Sequence, residues 1–168
     1  MWNEFFFSAP QLKRDSLGAM EPHITITYGW SDDDVAELTF EVCDGGSQVV
    51  NSAYVGLGWP KEQGAGLATF SGQVHGGIYN LEAGDRGPEY ARGAFEARFH
   101  YHKPTELYVS TFQQSEYFDF KRTHVATEAT LYLRTEPGML DEFVRSLKGL
   151  ERSKGSTAIL RCIPLHGA

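Results

Sequence analysis

Apolar and polar residues alternate along most of this chain. In His23–Tyr28, Ile24 and Ile26 alternate with Thr25 and Thr27, the period of two shown by a strand with one buried face. Val35–Cys43 resumes the pattern with Val35, Leu38, Phe40 and Val42, and Gln48–Leu57 follows the turn signal Asp44-Gly45-Gly46. The two runs predict a hairpin. Gly29-Trp30-Ser31-Asp32-Asp33-Asp34 reads as the turn before them, since Gly and Asp tolerate the backbone angles of turns. Further strands are predicted at Asn3–Ser8, Ala94–His102, Glu106–Phe112, Tyr117–Lys121, Val125–Arg134 and Thr157–Ile163. Within Ala94–His102, alternation places Phe95, Ala97, Phe99 and Tyr101 on one face, and Glu96, Arg98, His100 and His102 on the other. The first set belongs to the core and the second to water or a ligand.

One segment has the helical period. Met139, Leu140, Phe143, Val144, Leu147 and Leu150 recur at three- and four-residue spacing and predict an amphipathic helix over Pro137–Ser153. Thr135 is the expected cap and Pro137 suits the first turn. Asp141 and Glu142 suit the positive end, and Lys148, Arg152 and Lys154 the negative one; Gly155 is expected to close the helix. With its flanking strands this predicts a β–α–β unit over residues 125–163.

Between Gly56 and Gly93 lie ten of the 18 glycines. Such a stretch predicts either a binding loop or a set of tight connections between strands, with short strands expected at Thr69–His75 and Gly77–Leu81. No repeat of 20–50 residues is visible. The 168 residues, 41% of them hydrophobic and 22% charged, suit one domain over 1–168. The predicted class is α+β: a mainly antiparallel β-sheet or β-sandwich with one C-terminal amphipathic helix.

Charge changes the picture. The net charge of −7 disfavours nucleic-acid binding, which needs a basic footprint. Residues 1–92 hold 13 acidic and five basic groups, so nearly all the excess lies in the first half, including Asp32, Asp33, Asp34, Glu37, Glu41 and Asp44. An acidic surface steers a cationic partner. Neither an export signal nor a run of some 20 apolar residues is present, so the expectation is a cytoplasmic protein with no membrane partner. Cys43 and Cys162, without a CxxC, read as buried thiols of a reducing compartment.

Catalytic motifs are sparse. The sequence has no G-x-S-x-G elbow, no P-loop and no G-x-G-x-x-G before a helix. Three consecutive aspartates diverge from one another and do not space oxygens for calcium. The sharpest enzyme-like signal is His100-Tyr101-His102, whose two imidazoles share a strand face in the manner of metal sites. With Gly93 and Glu106 it resembles the first motif of the cupin family, whose further histidine would fall near His124. That resemblance implies a metal-dependent enzyme using His100, His102, Glu106 and His124. A small-molecule carrier with a barrel pocket is a third class.

The closing segments Thr130–Arg134, Pro137–Leu147 and Ser156–Leu160, with the acidic build, resemble the immunity proteins of bacterial polymorphic toxin systems. The resemblance implies a non-enzymatic protein without cofactor that binds and neutralises one cognate toxin bearing a basic surface. Loop aromatics are favoured anchors of such contacts. The expected contact residues are Trp30, Asp32, Asp33, Asp34 and Trp59, whereas Phe5, Phe40 and Phe99 read as core.

Overall fold

A computed structural model describes residues 20–73, 76–90 and 92–165; the strand expected at Asn3–Ser8, with Phe5, lies outside them. The elements are β1 (His23–Ser31), β2 (Val35–Cys43), β3 (Gln48–Gly56), α1 (Trp59–Ser71), β4 (Ile78–Ala83), β5 (Ala94–Lys103), β6 (Glu106–Gln114), β7 (Phe118–Phe120), β8 (Thr123–Val125), β9 (Glu128–Thr135), α2 (Pro137–Lys148) and β10 (Thr157–Arg161). They form two four-stranded sheets, ordered β10-β1-β2-β3 and β4-β5-β6-β9, and a two-stranded hairpin β7-β8. All the pairings are antiparallel. The class is α+β, as the alternation implies, with two helices where the sequence indicates one.

The second half repeats the first. Each reads β-β-β-α-β: β1, β2, β3, α1, β4 against β5, β6, β9, α2, β10. β5 and β6 begin 71 positions after β1 and β2 (94 against 23, 106 against 35), and β9 begins 80 after β3 (128 against 48). β2 and β6 share one order of half-buried and fully buried positions. Each half then gives its last strand to the other: β4 pairs with β5, and β10 pairs with β1. This corrects the β–α–β unit expected over 125–163, because β9 and β10 belong to different sheets. No short-period repeat could have shown it, since the repeated unit spans about half the described chain.

Helix α1 falls where the glycines predicted a loop. Its glycines serve packing instead. A methyl on Gly64 would sit 2.6 Å from Lys148 Cγ of α2, and one on Gly66 would collide with the Tyr79 ring of β4. Each glycine costs about 1 kcal/mol of helix propensity, less than burying Leu67 and Phe70, at roughly 1.5–3 kcal/mol apiece, returns. The strand expected at Thr69–His75 is therefore overturned at its start, since Thr69–Ser71 completes α1; Val74 and His75 lie outside the described residues.

Helix α2 buries Leu140, Phe143, Val144 and Leu147 as the spacing implies. Its ends differ from expectation. Glu136 occupies the cap position without a side-chain bond, and the Thr135 hydroxyl instead donates to the Arg161 carbonyl at 2.7 Å. Gly149 closes the helix. Gly155, at φ +87°, turns the chain so that its N–H reaches the Tyr28 carbonyl at 2.8 Å. That bond, with Tyr28 N–H to Ser156, guides β10 onto β1.

The sheets meet at one crowded point. Asn51 of β3 donates to the Ala94 and Gln114 carbonyls at 3.0 and 3.1 Å. Gln113 of β6 donates to Asn51 Oδ1 at 2.8 Å and to the Phe40 carbonyl at 3.2 Å. Phe40 stacks on Phe95 across the two sheets at 4.4 Å. Gly93 lies between, its N–H on the Ser52 carbonyl at 3.0 Å, and a Cβ there would run into the Gln114 carbonyl. Cys43 and Cys162 are both free and buried, and burial pushes the Cys162 thiol up to about 12.

Two outcomes follow for stability. Gly93→Ala should destabilise by about 2 kcal/mol or more through overpacking, read as a lower urea midpoint with unchanged slope. Replacing residues 115–127 by Asp-Gly-Gly-Ser, the turn that joins β2 to β3, should leave the thermal midpoint within a few degrees. A collapse of the transition would refute the equivalence of the two halves.

Candidate functional site

Strict alternation along β1 would bury Trp30 beside Ile24, Ile26 and Tyr28. A register shift at Gly29 prevents this, so that Tyr28 faces Leu38 while Trp30 faces Glu37. The bulge puts the indole outside, where it is 43% exposed. Its Nε1–H donates to Glu37 Oε2 at 2.7 Å, and its ring meets Tyr54 of β3 edge-on at 5.9 Å.

Arg92 joins this group from the end of the glycine-rich stretch. Its guanidinium lies 3.5 Å from Glu37, 3.3 Å from Glu116 and 5.9 Å from the Tyr54 ring centre. The Tyr54 hydroxyl, then the Glu37 charge, raise its pKa further above its already high ordinary value, so the cation is permanent. Arg92 also adopts φ +71°, a left-handed conformation rare for a residue with a side chain. The result is a fixed aromatic and charged surface of Trp30, Glu37, Tyr54, Arg92 and Glu116. In the sequence Glu37 stands out only as part of the acidic run; Tyr54, Arg92 and Glu116 carry no signal there.

The six acids of the first-half run separate by what they contact. Asp32 Oδ1 accepts from the N–H groups of Asp34 and Val35, both at 2.8 Å. Asp44 Oδ1 does the same for Gly46 and Ser47, at 2.9 and 2.7 Å. Glu41 pairs with His23 at 2.8 Å, and Glu37 with Arg92. Asp33 and Asp34 are exposed, and their carboxylates have no hydrogen-bond partner among the described residues. Asp32 thus shapes the turn, while Asp33 and Asp34 offer charge beside Trp30.

Trp59 is corrected outright as a contact residue. It opens α1 and is only 8% exposed. Its Nε1–H donates to the Glu82 carbonyl at 2.6 Å and its ring packs edge-on against Phe40 at 5.9 Å. The helix unseen in the sequence draws it into the core.

His100, His102 and His124 do not converge. His100 and His102 are exposed on one face of β5, with His102 edge-on to Tyr108. Glu106 starts β6 and lies 3.8 Å from Lys103. His124 is in the separate β7-β8 hairpin, 2.9 Å from Asp119. Among the described residues no three His, Cys, Asp or Glu side chains form a metal-holding group. An open groove of about 680 Å³ is lined by residues including Met20, Pro22, Met139 and Ile159. No described helix is long and apolar enough to cross a membrane.

Backbone bonds from Val35 and Asp34 hold the Asp32 carboxyl below its ordinary 3.8. A depressed folded pKa contributes stability above the unfolded value and loses it as pH falls through the folded one. Asp32→Ala should therefore lower the thermal midpoint at pH 7, and the difference from wild type should shrink as pH drops below 3.8. A difference independent of pH would contradict this role. No protein-family model matches the chain, and comparisons with curated proteins and with solved structures give no match either.

Proposed function

We propose that this protein is a non-enzymatic binding module of the immunity type, which neutralises a cognate bacterial toxin in the cytoplasm. Trp30, held outward beside Asp33 and Asp34, carries the reading. An exposed tryptophan that is already hydrogen-bonded and packed against Tyr54 loses little freedom on binding, and tryptophan is among the strongest interface anchors. Two neighbouring carboxylates favour a partner with a basic surface and speed its approach. The remaining charge pairs hold the patch in shape and add little affinity. No cofactor enters this action, and the net charge of −7 sets it against nucleic acid as partner.

The product of the adjacent reading frame is the partner to assay. Asp33→Lys with Asp34→Lys should slow association about tenfold and flatten its salt dependence. Trp30→Ala should act on dissociation and weaken Kd roughly thirtyfold, about 2 kcal/mol. Absence of binding by the wild-type protein, or variants that bind unchanged, would sink the reading.

A further inference from the structure

The β7-β8 hairpin is the one element of the second half with no counterpart in the first, where the four residues Asp44–Ser47 make the same connection. The scaffold therefore does not need it. Its register pairs Phe118 with Val125, Asp119 with His124 and Phe120 with Thr123. Paired residues share a face, so the hairpin has two unlike sides. One carries the Asp119–His124 pair at 2.9 Å, with Tyr117 stacked on the imidazole at 5.3 Å. The other carries Phe118, Phe120 and Val125. Phe118 is 47% exposed and Phe120 58%. An isolated hairpin of this size is marginal in water.

Charge runs along the same axis. The tip holds Lys121 and Arg122, which have no carboxylate partner among the described residues; the base is flanked by Glu116 and Glu128. We propose that the apolar side of this hairpin is a self-association surface, occupied by the hairpin of a second copy. An isologous contact requires a patch complementary to its own image after a half turn. Here an antiparallel half turn sets phenylalanine against phenylalanine and each basic tip over the other copy's Glu128. An anionic membrane fits less well, because it would repel the acidic base and the −7 chain. Half-exposed phenylalanines offer roughly 100 Å² each, well under the roughly 1,200 Å² of a lasting interface. The dimer is accordingly weak and depends on concentration. It is independent of the toxin-binding reading, which uses Trp30 and its neighbours.

Sedimentation velocity of the full chain, from micromolar to millimolar concentration, tests this. The expected result is a shift from 18.8 kDa toward twice that mass, abolished by Phe118→Ser with Phe120→Ser and by the Asp-Gly-Gly-Ser replacement of 115–127. Lys121→Glu with Arg122→Glu should weaken the dimer, and adding Glu128→Lys should restore it. A monomer at every concentration overturns the proposal, as does a dimer that survives removal of the hairpin. Failure of the Glu128→Lys rescue overturns the antiparallel arrangement. Hairpin-dependent binding to phosphatidylserine vesicles without a dimer would give the surface to lipid instead.

Discussion

The two sheets can approach one another only because Gly93 has no side chain at their crossing. Its backbone passes between the Gln114 and Ser52 carbonyls, where a Cβ would collide with one and press within 3.0 Å of the other. Around that point Asn51 and Gln113 satisfy backbone groups of both sheets. In a low-dielectric interior such bonds strengthen one another, and leaving one unmade is costly. Gly84, at φ +68°, is fitted against the Gly93 carbonyl on the other side. The crossing sets the separation of the sheets, and with it the room the two helices fill.

Strand exchange extends this constraint to the whole molecule. β4 leaves the first half to edge the second sheet, and β10 leaves the second half to edge the first. Neither half can complete its sheet alone. The helix before each exchanged strand spans the distance, so α1 and α2 pack on each other, with Gly64 admitting Lys148. Long-range pairing of this kind ties distant parts of the chain into one core and favours slow folding relative to local hairpins.

Surface features that the duplication does not require stand out against it. The Gly29 bulge turns Trp30 outward, although an unbroken strand would bury it. Arg92, at φ +71°, carries a guanidinium that meets Glu37, Tyr54 and Glu116. The β7-β8 hairpin adds two exposed phenylalanines to a connection that four residues can make. Local irregularity in an otherwise repetitive scaffold is where recognition is built.

Period-two alternation by itself determined the strands from β1 to β3 and the inward face of β5, because burial of one sheet face is a local pattern. The apolar stripe of α2 was legible for the same reason at a longer period. Helix α1 was not, since glycine reads as a loop former until the surfaces it must touch are known. Trp59 and Trp30 show the same limit: one is buried by that helix, the other exposed by a single-residue bulge, and no local pattern separates them. Which acids shape turns and which remain available, as Asp32 differs from Asp33, depends on a backbone N–H a few residues away. Pairing across distant segments, by contrast, depends on which faces can close on each other in space, and only the folded chain decides that.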